Sequence, residues 1–161
     1  MSSAHFFSTA ALRRGQQFAV QQGSRQASFA ELDARSTALA WGFIELGLAE
    51  GDCVALQMHM CVEFAQIECA LHKAALGKIG ISPLASLEEA GSKVKSKKAR
   101  AFIIDTGSCD YTAATFGFES VTVFISTDKP VEGYVEYDDL IRQHTCRPGS
   151  GGGKRRVKRF L

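Results

Sequence analysis

Two short runs, Ala101-Phe102-Ile103-Ile104-Asp105 and Val121-Thr122-Val123-Phe124-Ile125, decide the fold class of this chain. Each run has the length of one β-strand, and its apolar residues are continuous rather than alternating with polar ones. Continuous apolarity is typical of strands whose two faces are both covered, as in parallel sheets with helices on each side. The two runs therefore predict buried strands over residues 101–105 and 121–126.

The sequence before these runs alternates between helical and strand-like patterns. Ser28-Phe29-Ala30-Glu31 is a capping box, in which the Ser hydroxyl and the Glu carboxylate satisfy backbone N–H groups at a helix start. An apolar stripe at steps of three and four residues follows it, and Gly47 is placed to end that helix in the left-handed conformation. Further helices are predicted at 4–14, at 62–76 (closed by Gly77), at 87–97 and at 111–116, with a helical turn at 138–143. Further extended segments are predicted at 18–21, 53–58, 79–84 and 135–137.

Strands that alternate with helices require crossover connections, which place neighbouring strands in parallel. We therefore predict an α/β domain with an open, mainly parallel sheet and helices on both faces. The pattern leaves the order of the strands open. Residues 1–15 are interpreted as an N-terminal extension or short helix, residues 16–143 as the domain, and residues 144–161 as a Gly-rich, basic, disordered tail.

The charge of the chain is unevenly distributed. The 161 residues carry 19 Lys and Arg against 17 Asp and Glu, a formal charge of +2. Six of those cations lie after residue 146, so residues 1–146 hold 13 cations and 17 acids, a charge of −4. An acidic body excludes a basic nucleic-acid-binding domain, and we expect no nucleic-acid partner, whereas the basic tail could touch anionic surfaces. No apolar run reaches the roughly 18 residues that a transmembrane helix needs.

Motifs for metal, phosphate or nucleophilic chemistry are weak in this sequence. His59 and Cys61 are close together, but no second His/Cys pair has zinc-type spacing, and the five cysteines fit no disulfide framework. The stretch Ser150 to Lys154 resembles a phosphate-binding loop, yet Pro148 and Arg155 stand where that loop needs Gly and Ser or Thr. Five cations, Lys93, Lys95, Lys97, Lys98 and Arg100, are interpreted as a solvated helix end. His72 and Lys73, on the helix predicted at 62–76, are likewise interpreted as part of a solvated helix face. We assign no catalytic, cofactor-binding or metal-binding residue.

Four blocks of sequence together resemble the opening of the AMP-forming acyl-CoA synthetases, a superfamily that includes luciferases and peptide-synthetase adenylation domains. The blocks are Ser28 to Ser36 (SFAELDARS), Gly47 to Leu56 (GLAEGDCVAL), Val62-Glu63-Phe64, and Gly77 to Leu84 (GKIGISPL). Their order and spacing are those of the family, over about residues 16–143. The segment Ala75 to Gly80 is similar to the very-long-chain acyl-CoA synthetase and fatty-acid-transport branch.

This resemblance implies a function and a limit on it. Full-length relatives use ATP, magnesium and coenzyme A to convert a fatty acid into an acyl-adenylate and then into acyl-CoA. Their later nucleotide motifs do not occur in this sequence, so we expect a truncated N-terminal part of a fatty acyl-CoA synthetase that is catalytically incomplete and binds none of these cofactors. The expected partners are a fatty acid or a full-length synthetase. The expected location is intracellular, either cytoplasmic or peripheral to endoplasmic reticulum, peroxisomal or mitochondrial membranes. The alternative is a non-catalytic α/β binding or interaction module.

Overall fold

The structure, a computed structural model, describes residues 3–106 and 120–145. It contains five helices within those ranges: α1 (Ser3–Arg14), α2 (Phe29–Glu45), α3 (Val62–Lys73), α4 (Leu87–Ser96) and α5 (Tyr137–Thr145). The strands are β1 (Phe18–Gln22), β2 (Arg25–Ser28), β3 (Cys53–Gln57), β4 (Gly77–Ile81), β5 (Ala101–Ile104), β6 (Val123–Ser126) and β7 (Val135–Glu136). The predicted helix at 111–116 and the tail from residue 146 onward lie outside the described residues.

Five strands form one parallel sheet in the order β4-β3-β5-β6-β7. This arrangement confirms the predicted α/β fold class and supplies the strand order that the pattern left open. β1 and β2 form a separate antiparallel hairpin. Its second strand, Arg-Gln-Ala-Ser, was not predicted because it is polar and carries no apolar run.

Apolar side chains fill both faces of the sheet. On one face, α2, α3 and α5 pack over Leu56, Ile103 and Ile125, and on the other face α4 packs over Ala55, Phe102 and Ile104. All four residues of β5 are buried. The first of the two runs that decide the fold class is therefore a strand shared by both layers of the core.

The helix ends follow local chemistry, with one correction to the prediction. The capping box of Ser28 and Glu31 begins α2, and Gly47 follows that helix with φ +90°. Gly77 does not close α3: the helix ends at Lys73, and Ala75 adopts the left-handed conformation with φ +55°. Gly77 instead begins β4, where a Cβ atom would lie 3.0 Å from the Cys53 Sγ.

No helix in ranges 3–106 and 120–145 is both long and apolar enough to cross a membrane.

Candidate functional site at the carboxyl edge of the sheet

The strand order places a topological switch point between β3 and β5. The chain passes from β3 to β4 on one side, returns across β3 to β5, and continues outward to β6 and β7. In open parallel sheets, ligands bind in the crevice outside the carboxyl ends of the strands at such a point. Here the crevice expected from this topology lies beside residues 58–60, 105–106 and 127–128, which follow β3, β5 and β6.

His59 and Asp105 meet across the switch point. The His59 backbone N–H donates to Asp105 Oδ2 at 2.7 Å, and the ring Nδ1 lies 3.2 Å from the same oxygen. The Asp105 side chain is 14% exposed, whereas the His59 side chain is 58% exposed. A carboxylate beside Nδ1 favours the tautomer with hydrogen on that nitrogen and orients the ring. The pair therefore holds an oriented imidazole at the mouth of the crevice.

A second carboxylate joins the next two strands in the same way. Asp128 Oδ1 accepts the Thr106 backbone N–H at 2.7 Å and the Thr106 hydroxyl at 2.8 Å. Asp105 thus connects the carboxyl ends of β3 and β5, and Asp128 connects those of β5 and β6. These side-chain bonds add to the backbone bonds from Asp105 to Gln57 and from Thr127 to Ile104, and together they fix the shape of this edge.

Two buried polar side chains lie just inside the edge. Gln57 and Ser126 pair in register with Ile104 from either side, and both residues are at most 2% exposed. Gln57 Nε2 donates to the Ala85 carbonyl at 3.1 Å, but within the described part of the chain Gln57 Oε1 and Ser126 Oγ have no hydrogen-bond partner. Buried polar groups are seldom left unsatisfied. Within the described ranges, these two atoms therefore keep unused hydrogen-bonding capacity just inside the carboxyl edge.

Of the residues singled out from the sequence, only His59 reaches this site as a contact partner. Cys61 precedes α3 and is half-buried, and burial raises the pKa of its thiol, so the thiol stays protonated at neutral pH. Since a thiol binds metal as the thiolate, this shift opposes a metal role for Cys61. Within ranges 3–106 and 120–145, no group of three or more His, Cys, Asp or Glu side chains is placed to hold a metal.

The other singled-out residues lie elsewhere. Lys73 is an ion-pair partner of Asp33, with its Nζ 2.7 Å from the carboxylate and 12% of its side chain exposed. His72, with Cys69 and Phe29, lines an apolar cavity of about 250 Å³ between the hairpin, α2 and α3. The five cations from Lys93 to Arg100 surround the end of α4 at the amino edge of the sheet, opposite the crevice. The stretch Ser150 to Lys154 lies outside the described residues.

Sequence reasoning missed Asp105, Asp128 and Gln57. Each has a signal that becomes readable once the strands are assigned, because each lies at, or within two residues after, the end of a buried parallel strand. A polar residue in that position borders the crevice whatever its neighbours in sequence.

The sequence profile of the AMP-binding enzyme family matches residues 7–147, most of the chain. The chain belongs to this family. No curated protein sequence matches it significantly.

Solved structures of CoA ligases share the fold of this AMP-binding enzyme chain. The anthranilate CoA ligase AuaEII, in complex with anthranoyl-AMP, superposes with a TM-score of 0.82 at 18% identity, over 89% of this chain and 28% of that one. A putative long-chain-fatty-acid CoA ligase from Rhodopseudomonas palustris superposes with a TM-score of 0.80 at 16% identity, over 87% of this chain and 36% of that ligase. A long-chain-fatty-acid-CoA ligase from Archaeoglobus fulgidus superposes with a TM-score of 0.80 at 15% identity, over 89% of this chain and 30% of that ligase. The chain therefore spans about a third of the length of these proteins.

Proposed function

We propose that this chain is part of an ATP-dependent ligase that activates a carboxylic acid and transfers the acyl group to coenzyme A. In that reaction the carboxylate attacks the α-phosphate of ATP, pyrophosphate leaves, and the thiol of coenzyme A then displaces AMP from the acyl-adenylate. The observation that carries the proposal is the family match over residues 7–147. The similar folds of several acid–CoA ligases support it.

A fatty acid is the substrate that we propose within this class. Two of the similar structures are described as long-chain-fatty-acid CoA ligases. The stretch Ala75-Leu76-Gly77-Lys78-Ile79-Gly80 adds its similarity to the very-long-chain branch. An aromatic acid is the competing substrate, since an anthranilate CoA ligase and a benzoate CoA ligase also share the fold, with TM-scores of 0.82 and 0.76.

We further propose that residues 16–143 supply only part of the catalytic machinery. The carboxyl edge offers an imidazole, two carboxylates and a buried amide, but its described residues form no Gly-rich loop that could enclose phosphate groups. Adenylation requires preorganised positive charge around the α-phosphate. We therefore assign ATP, magnesium and coenzyme A to no residue of this chain.

The first experiment measures pyrophosphate release by the purified chain with ATP, magnesium, coenzyme A and either palmitate or benzoate. The expected result is release at the level of the blank with both acids. Release that depends on an acid would show that the chain is catalytically complete. That result would contradict the proposal that the catalytic machinery is incomplete, and it would support the proposed acid-activating reaction.

The second experiment tests the acid class in a working enzyme. Residues 16–143 replace the superposed segment of the Rhodopseudomonas palustris ligase, and the chimera is assayed with palmitate and with benzoate. A matched chimera carries the corresponding segment of the anthranilate ligase. We expect palmitate-dependent release from the first chimera, and a higher benzoate-to-palmitate ratio from the second. A preference for benzoate in the first chimera would contradict the fatty-acid proposal and leave the family assignment intact.

A further inference from the structure

We propose that the C-terminal end of α4 is a docking surface for an anionic lipid membrane, independent of the ligase function. The surface, called here the α4 basic patch, consists of five cations: Lys93, Lys95, Lys97, Lys98 and Arg100. All five residues are exposed. Among the described residues, no carboxylate forms an ion pair with any of them.

The patch stands out because the rest of the body is acidic. Residues 31–146 contain 10 cations and 17 acids, so without the five patch cations the same range carries 5 cations and 17 acids, or −12. Charge separated in this way orients a molecule as it approaches a charged surface. The patch would face an anionic surface while the acidic remainder is repelled from it.

The patch also extends beyond what a helix end requires. Cations in the last turn complement the helix dipole, which accounts for Lys93 and Lys95, but this effect fades within one turn. Lys98 follows the helix with φ +51°, a left-handed conformation in which Gly is the usual residue. The Lys98 and Ala99 backbone N–H groups donate to the Lys95 and Val94 carbonyls, so this conformation closes the helix, and a lysine that adopts it carries a conformational cost. Lys98 and Arg100 lie beyond the last turn of α4, so the helix dipole does not account for their charges.

The composition of the patch favours a lipid surface over nucleic acid. Four of its five cations are lysines, which act as flexible point charges, whereas arginine suits bidentate recognition of single phosphates. The aromatic residue nearest in sequence, Phe102, is fully buried and cannot stack on bases. Diffuse attraction of several lysines is the mode by which basic segments bind anionic headgroups.

The position of the patch leaves the crevice accessible. The Arg100 backbone N–H donates to the Cys53 carbonyl at the amino edge of the sheet. The His59 and Asp105 pair lies at the opposite, carboxyl edge. A molecule docked through the patch would therefore turn its candidate ligand site away from the membrane surface.

The test is co-sedimentation of the full chain with vesicles of phosphatidylcholine alone or with 30% phosphatidylserine. We expect binding only to the anionic vesicles, and a decline as NaCl rises from 50 to 300 mM. The variant K93Q/K95Q/K97Q is expected to lower the partition coefficient at least tenfold, given roughly 1 kcal/mol per cation at such a surface. The variant K154Q/R155Q/R156Q shows what the C-terminal cations contribute.

Two single variants separate charge from folding. Lys98→Gly removes one charge and relieves the left-handed backbone, so we expect a higher melting temperature together with about fivefold weaker binding to anionic vesicles. Lys129→Gln removes an exposed cation outside the patch and should change binding less than twofold. The proposal is overturned if K93Q/K95Q/K97Q binds anionic vesicles as strongly as wild type does. It is also overturned if a 20-base-pair DNA duplex binds the chain as tightly as the anionic vesicles bind it, measured by its release of the chain from those vesicles.

Discussion

At the residue scale, the left-handed conformation after α3 is adopted by Ala75 and not by Gly77. Gly77 was expected to cap α3, but Ala75 adopts the left-handed conformation there, with φ +55°. The Gly77 position is constrained by packing instead, because β3 and β4 pair Cys53 directly with Gly77. The sequence marks a glycine as special without showing whether backbone conformation or space requires it.

Gly77→Ala is therefore expected to lower stability by about 1 kcal/mol, since a new Cβ would lie 3.0 Å from the Cys53 Sγ. Urea denaturation measures the change. Cys53→Ala in the same chain removes the sulfur, and the double variant should lose less stability than the sum of the two single variants. Additive losses would show that the contact is not the reason for glycine at this position.

The capping box at Ser28 makes a second prediction at this scale. The Ser28 hydroxyl accepts the Glu31 backbone N–H, and the Glu31 carboxylate accepts the Ser28 backbone N–H. Ser28→Ala leaves the first donor without this partner and should cost about 1 kcal/mol in the free energy of unfolding. Ser92→Ala, at an exposed position inside α4, serves as the control and should change stability by less than about 0.5 kcal/mol. Equal effects of the two substitutions would contradict the capping role.

At the element scale, polar contacts attach the β1–β2 hairpin to the loop after β3 and to α3. Arg25 forms an ion pair with Glu63, and Gln22 Nε2 donates to the Met60 carbonyl at 3.3 Å. These contacts join residues nearly forty positions apart in sequence, so no local sequence pattern predicts them. This explains why β1 was predicted from its apolar residues and β2 was not.

The Arg25–Glu63 pair gives the hairpin a pH dependence. Burial alone would raise the pKa of Glu63, but the hydrogen bond from Arg25 contributes to a net shift below its ordinary value of 4.5. A lowered folded-state pKa adds stability above pH 4.5 that is lost as the pH falls through the folded value. Wild type should therefore exceed Glu63→Gln by up to about 1 kcal/mol at pH 7, because Arg25 is largely exposed, and the difference should vanish at lower pH. Urea denaturation from pH 7 to pH 3 measures it, and a difference that persists at pH 3 would contradict the assignment.

The candidate site was predictable only in part for the same reason. His59 drew attention as a possible ligand, but its contact with Asp105 spans 46 positions and depends on β3 and β5 being neighbours. β3 and β5 are neighbours only because the chain places β4 on the far side of β3 and then crosses back. The alternation of strands and helices in the sequence allows this strand order but does not determine it. A site built from strand ends becomes visible only when the strand order is known.

At the scale of the whole molecule, burial on two faces made the fold class readable. A strand covered on both sides needs apolar residues in succession, and β5 and β6 show that succession. Strand boundaries were less readable, because Val121 is buried but lies before the first paired residue of β6, Val123. Burial extends beyond the hydrogen-bonded ladder, so an apolar pattern overestimates the length of a strand.

The same central strand predicts that the two layers of core unfold together. Ile103 contacts the layer under α2, α3 and α5, whereas Ile104 belongs to the layer under α4. Ile104→Ala should cost about 2–5 kcal/mol, as large-to-small changes in a core do. Trp41 lies in α2, in the other layer, and its fluorescence should report the full loss, because weakening β5 weakens the sheet on which both layers rest. Lys129→Ala is the surface control, and a Trp41 transition that Ile104→Ala leaves unmoved would mean that the two faces of the sheet unfold separately.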